Sequence, residues 1–264
     1  IDVPSIYEVP LKMQEQKLDE IVLRKTGMEI GPRPELKPWR EFLAHMQNAK
    51  DTVRIGLVGK YVELQDAYKS INEALFQAAT YNNRKLDLQY IHSEKLTESN
   101  VEEKLSSMDG LIIAPGFGQR GVEGKFVALK YAREHDVPTF GICLGMQCMV
   151  IEYARDVLGY KDANSTEMDV NTPHNVIDLM ESQKCISNMG GTMRLGEYDC
   201  ILQEGSKAEQ AYGKTHIKER HRHRFEFNGD YRSEFEAAGM KCVGENPDTH
   251  LVEVVEVPSL TWYI

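Results

Sequence analysis

Between residues 53 and 158 the chain alternates two kinds of apolar spacing. Residues 53–59 and 86–92 read as strands, residues 137–141 are a short apolar run, and residues 110–114 form another that is apolar throughout. Helical spacing lies between and after them. It is carried by Ala67, Ile71, Ala74, Leu75 and Ala78, then Phe126, Leu129 and Ala132, then Met146, Val150, Ile151, Ala154 and Leu158. Apolar strands that alternate with amphipathic helices predict an α/β fold, a mostly parallel central sheet with helices on both faces. Ser99 and Glu102 have the spacing of a capping box, opening a helix that ends near Met108. In such sheets ligands bind at the carboxyl ends of strands. The loops at Pro115 and Cys143 follow successive strands and so can face each other.

The flanks read differently. Residues 3–10 are bounded by prolines and predict an extended segment. Leu18, Ile21 and Val22 predict a helix over 12–24, and Trp39, Phe42, Leu43 and Met46 another over 39–49. Gly31, Pro32, Pro34 and Pro38 between them read as a linker. Residues 1–50 are thus expected to be the tail of an upstream domain plus a connector, with a second domain over 51–264. Beyond Leu158, residues 192–198, 222–227 and 251–257 predict strands with alternating faces. Residues 261–264 open an apolar strand without a turn or cap after it, and the chain begins at Ile1 rather than methionine. Both features suggest a piece of a longer protein.

Composition narrows the classes. The 264 residues carry a net charge of −10 without a basic stripe, which argues against nucleic acid and against a polybasic membrane contact. No apolar run approaches the roughly 20 residues of a membrane span, and no signal peptide is visible. Five cysteines at irregular spacing do not read as a disulfide framework. A reducing, cytoplasmic setting is the simplest expectation.

The candidate chemistry centres on Gly141-Ile142-Cys143-Leu144-Gly145. This is the nucleophile-elbow pattern with cysteine in the serine position. Small neighbours let the apex side chain clear the backbone. The helix that follows aims free N–H groups and its positive dipole end at the sulfur, so a thiolate is expected. Taken alone, a cysteine there is also a common small core residue. Pro115-Gly116-Phe117-Gly118 offers an oxyanion hole, with the Gly116 and Leu144 N–H groups as donors; by itself it is equally an ordinary glycine-rich turn. His216, His221 and His223 invite a zinc reading, but no neighbouring cysteine or carboxylate cluster completes a four-ligand set, and no metal is expected. Cys148, Cys185, Cys200 and Cys242 read as structural.

Four motifs then carry a resemblance. They are Gly-Ile-Cys-Leu-Gly-Met-Gln at 141–147, Ala-Asn-Ser-Thr-Glu at 163–167, Asn-Met-Gly-Gly-Thr-Met-Arg-Leu-Gly at 188–196 and Glu-Arg-His-Arg-His-Arg-Phe-Glu at 219–226. In that order they resemble the class I glutamine amidotransferase domain of the CTP synthase family, with its three-layer α/β fold. Gly59-Lys60-Tyr61, Asp66-Ala67-Tyr68-Lys69-Ser70 and the opening residues 3–10 fit the same family, the opening resembling the end of its synthetase domain.

The resemblance implies that Cys143 attacks the carboxamide of L-glutamine and releases ammonia through a glutamyl thioester. It places Gly116, Leu144, Gly145, Met146 and Gln147 around the substrate, Glu167 on its ammonium, Arg224 on its carboxylate and Phe225 as a backbone contact. Arg120, Gly121 and Glu123 stand where the family senses allosteric GTP. No cofactor is implied in this domain; ATP and Mg²⁺ belong to the amination of UTP in the N-terminal synthetase domain, within a homotetramer. Two departures stand out. Pro115 replaces a glycine of the family pattern and has no N–H to donate. The family's base and its orienting carboxylate lie in a His-Pro-Glu motif expected just beyond residues 261–264, and none of the eight histidines stands in that context. Slow turnover is therefore expected of the chain by itself. A glutamine-binding regulatory fragment and a γ-glutamyl cysteine hydrolase remain the alternatives.

Overall fold

The structure, a computed structural model, describes residues 2–179 and 193–264. Residues 188–192 of the third motif, and Cys185, lie outside the described residues. The chain divides into two compact units, Ile1–Val53 with Tyr68–Asp87, and Arg54–Ala67 with Leu88–Ile264.

The first unit contains α1 (Val9–Glu15), α2 (Leu18–Thr26), α3 (Lys37–Asn48) and α4 (Lys69–Tyr81). Residues 3–10 are not extended, contrary to expectation. Ser5 caps a 3-10 turn over Ile6–Glu8, and Pro10 falls in the first turn of α1, where a missing N–H leaves no bond unmade. The helix expected over 12–24 is broken into two at Lys17, whose φ is 57°. Gly27 in the left-handed region then closes α2. Tyr7 stacks on Phe76 at 5.3 Å, and its carbonyl accepts from Trp39 Nε1 at 2.7 Å.

A four-stranded sheet, most of it in the second unit, has the order β2-β1-β3-β4, with β1 (Asp51–Gly59), β2 (Arg84–His92), β3 (Gly110–Ile113) and β4 (Thr139–Gly141). The β1–β3 and β3–β4 pairs are parallel. Residues 261–264 do not form a regular strand but lie along β4. Thr139 and Gly141 donate to Trp262 O and Ile264 O at 2.7 and 2.8 Å. Helices α5 (Val101–Leu105), α6 (Val122–Glu134) and α7 (Leu144–Asp156) accompany this sheet. Leu129, Ala132, Met149, Val150 and Ile151 are fully buried with Ile113 of β3 in one core. The expected capping box does not form. Asn100 precedes α5, and its Oδ1 accepts from Thr97 N–H instead.

Two further sheets complete the unit. In one, β6 (Asn175–Leu179) lies between β5 (Asn164–Ser165) and β9 (Phe225–Phe227). The other is antiparallel, in the order β11-β10-β7-β8, with β7 (Arg194–Leu202), β8 (His216–His223), β10 (Lys241–Glu245) and β11 (Val252–Glu256). The single strand expected over 222–227 is thus two strands in different sheets. Arg224 is the residue at which the chain changes from one to the other.

Candidate active site

Cys143 sits between β4 and α7 with φ 54° and ψ −108°, a conformation that side-chain-bearing residues rarely adopt. Its neighbours explain why that strain is sustained. A Cβ on Gly145 would overlap the Ile113 carbonyl, and one on Gly141 would overlap Met149 and the start of α7. The bend therefore packs backbone on backbone, which only glycine permits. Ile142 N–H donates to Ile113 O at 3.1 Å, and Gln147 N–H to Cys143 O at 3.1 Å, so the elbow is anchored on both sides.

Of the four described cysteines, Cys143 is the partly exposed one. The Leu144 amide donates to its sulfur, and Lys125 also favours the thiolate. Burial nevertheless outweighs both, and Glu167 and Glu226 add to it, so the thiol is pushed above its ordinary value. This corrects the expectation that the helix start alone ionises the sulfur: the apex is too desolvated for that. Cys148, pushed up to about 11, and Cys200 and Cys242, to about 12, are buried thiols whose desolvation outweighs the cations beside them.

The loop after β3 is held from below by two lysines. Lys125 Nζ donates to Ala114 O at 2.6 Å and Lys60 Nζ donates to Phe117 O. From the other side Glu167 Oε1 accepts from Gly118 N–H at 2.9 Å. Gly116 lies beside Leu144 and Lys60, close enough that a Cβ there would touch both. Gln147 Nε2 donates to Phe225 O at 2.9 Å, tying α7 to β9. A cavity of about 420 Å³ opens beside the elbow, lined among others by Cys143, Met146, Gln147, His223, Phe225 and Glu226. Four expected site residues, Cys143, Met146, Gln147 and Phe225, thus share one cavity. Gly116, Leu144, Gly145, Glu167 and Arg224 do not line it. Gly116, Leu144 and Gly145 stand around the elbow, Glu167 is engaged with the glycine loop, and Arg224 lies at the seam between β8 and β9.

The second expected set lies at the start of α6. The Arg120 guanidinium stacks over the Tyr61 ring at 4.9 Å and lies 3.3 Å from Glu94. Gly121 has φ 74° and precedes α6, and Glu123 is 3.6 Å from Arg155. One residue on, a Cβ at Gly124 would overlap the Ser93 carbonyl, so α6 rests directly on the turn after β2.

A buried ionic cluster forms part of the unit. Arg194 on β7 lies 2.6 Å from Glu253 and 3.3 Å from Glu226, with Tyr198 beneath it at 4.2 Å. His221 Nε2 is 3.1 Å from Glu253. His223 Nδ1 is 3.3 Å from Glu226 but off the line of a hydrogen bond, and the two imidazoles meet at 2.8 Å. Burial raises Glu226 to about 8 and lowers both histidines to about 4, so near neutral pH the carboxyl holds the proton and the rings do not. His216 is elsewhere, 2.7 Å from Asp199. Among the described residues no group of three or more histidines, cysteines or carboxylates could hold a metal ion.

Sequence reasoning gave Lys60, Arg194 and Glu226 no role although they stood inside its motifs, and it passed over Lys125 altogether. The signal for Lys125 was available: it falls on the stripe of Val122, Phe126 and Leu129, a charge on an apolar face.

Comparison with known proteins bears on all of this. The family described as Glutamine amidotransferase class-I matches residues 63–263. A CTP synthase of Porphyromonas gingivalis is 66% identical over all of this chain and 49% of its own length. One of Bacteroides fragilis is 65% identical over all of this chain and 50% of its own. The chain spans about half the length of the curated relatives it matches. A solved structure described as the glutaminase domain of Trypanosoma brucei CTPS with bound acivicin superposes with a TM-score of 0.75. It is 36% identical, over 80% of this chain and 83% of that one.

Proposed function

The chain belongs to the class I glutamine amidotransferases, and from that premise we propose that it is the glutamine-hydrolysing part of a CTP synthase. The observation that carries the reading is the strained Cys143 elbow, facing a cavity between α7 and β9 and flanked by a cation-anchored glycine loop. In the reaction, Cys143 Sγ bonds to the carboxamide carbon of L-glutamine and the carbonyl oxygen takes up the electron pair. The Leu144 and Gly116 amides receive that oxygen. Collapse of the intermediate expels the amide nitrogen, which leaves as ammonia after protonation, and water cleaves the thioester to glutamate. Met146, Gln147, Gly145 and the Phe225 backbone shape the pocket, Glu167 takes the substrate ammonium, and the Arg224 fork its carboxylate.

The ammonia serves the amination of UTP with ATP and Mg²⁺ in the relatives' other half, a synthetase domain to which residues 1–50 lead. The whole acts as a homotetramer in pyrimidine biosynthesis in the cytoplasm. No described helix is long and apolar enough to cross a membrane. Half-exposed Tyr61, with the Arg120 guanidinium over its ring, suits a purine base, and Arg120, Gly121 and Glu123 are the proposed contacts of allosteric GTP.

Glutamine analogues with an electrophilic side chain are expected to label Cys143 alone. Mass spectrometry of a labelled digest reads this, and label spread over several cysteines removes the assignment. In the same chain, Arg224→Ala is expected to weaken glutamine binding about tenfold or more with little change in stability. Unchanged affinity by calorimetry takes Arg224 out of the site.

A further inference from the structure

Lys125 has no part in the mechanism above, yet its placement is unusual. It is 1% exposed, and its hydrogen bond to Ala114 O, at 2.6 Å, is made to a neutral acceptor. Among the described residues no carboxylate lies within ion-pair distance of it, in contrast to Arg133 and Arg194. An ammonium has three donors and a large desolvation cost, so a buried one without a counter-charge is costly. Ala114 directly follows Ile113, whose carbonyl carries the elbow through Ile142 N–H and abuts Gly145. The ammonium is therefore fixed at the end of β3, against the turn that presents the nucleophile. Cys148, the other thiol beside it, is sealed inside α7 and stays neutral. Burial lowers the Lys125 ammonium from its ordinary value; Cys148 and then Cys143 oppose that shift, Lys60 adds to it, and Lys125 in turn favours the Cys143 thiolate.

We propose that Lys125 is the buried counter-charge of the Cys143 thiolate, a positioning residue clamped to the Ala114 carbonyl that makes the elbow sulfur easier to ionise. The proposal rests on the reading of Cys143 as nucleophile. It explains how a thiol desolvated at a tight turn is offset from within the protein: opposite charges close together favour the ionised form of both. Lys125 acts through the sulfur and need not touch the substrate.

The test is the rate of Cys143 alkylation by iodoacetamide as a function of pH, in the 264-residue chain and with the modified residue located by mass spectrometry. Lys125→Met removes both charge and hydrogen bond, while Lys125→Gln keeps a donor to Ala114 without the charge. Both variants are expected to move the midpoint of the profile up by about one pH unit. The rate near pH 7 then falls about tenfold while the high-pH plateau stays in place. A midpoint unmoved in both variants overturns the proposal. A shift in Lys125→Met that is absent in Lys125→Gln also overturns it, since the hydrogen bond and not the charge would then be responsible. If Lys125→Met does not fold, Lys125→Gln carries the test by itself. Cys143→Ser separates the two levels of inference: alkylation that survives it in the parent chain defeats the nucleophile assignment, whatever the lysine does.

Discussion

Arg194 and Lys125 are both buried cations in the same unit, and their charges are met in opposite ways. Arg194 lies between Glu226 and Glu253 with an aromatic face beneath it, and it ties β7 to β9 and β11. Lys125 has one carbonyl oxygen. A compensated charge holds its neighbours in register and has little left to offer a reaction. An under-compensated one keeps its field for whatever anion forms beside it. The difference separates the part of the molecule that fixes geometry from the part arranged around chemistry.

The sharpest way to break this contrast is Arg194→Met. It leaves the buried Glu253 and Glu226 carboxyl groups without their shared cation and is expected to cost about 3–5 kcal/mol of unfolding free energy, read by denaturant titration. A loss below about 1 kcal/mol would mean that the cluster is not a structural clamp. The pH dependence of the melting temperature gives a smaller effect with a definite sign. Glu226 titrates at about 8 in the fold against an ordinary 4.5, so the folded chain keeps a proton that the unfolded chain gives up, and stability falls as pH rises across that window. His221 and His223 titrate at about 4 against 6.5, so the unfolded chain binds the extra protons there and stability rises with pH between those values. Two rising contributions against one falling one place the optimum near 6.5, followed by a decline of about 1–2 kcal/mol towards pH 8. Glu226→Gln should flatten that decline; an unchanged profile would remove Glu226 as its source. The smallest expected effect is on stability in Lys125→Met, within about 1 kcal/mol of the parent, because it removes a charge that nothing nearby neutralises. A loss as large as that of Arg194→Met would erase the distinction between the two cations.

β3 was legible in the sequence because a strand buried on both sides is apolar throughout, as residues 110–113 are. Residues 137–141 announced β4, although Phe140 is exposed there, and the glycines around Cys143 announced a bend with no room for side chains. The failures have one origin, contacts that are distant in sequence. The run over 222–227 looks continuous, and nothing local shows that residues 225–227 pair with β6 while residues 216–223 pair with β7. The spacing of Ser99 and Glu102 suits a capping box, but Thr97 and Asn100 satisfy each other first. The elbow could be read from glycine spacing, whereas the ionisation of its sulfur depends on burial and on Lys125, eighteen residues away.

The contact between Gly124 and the Ser93 carbonyl has a consequence for how this protein can diverge. Position 124 is closed to every side chain, so the seat of α6 cannot be loosened or tightened by changing that residue alone. Any change in how α6 is seated must come from the residues around that contact, with the backbone contact itself held constant.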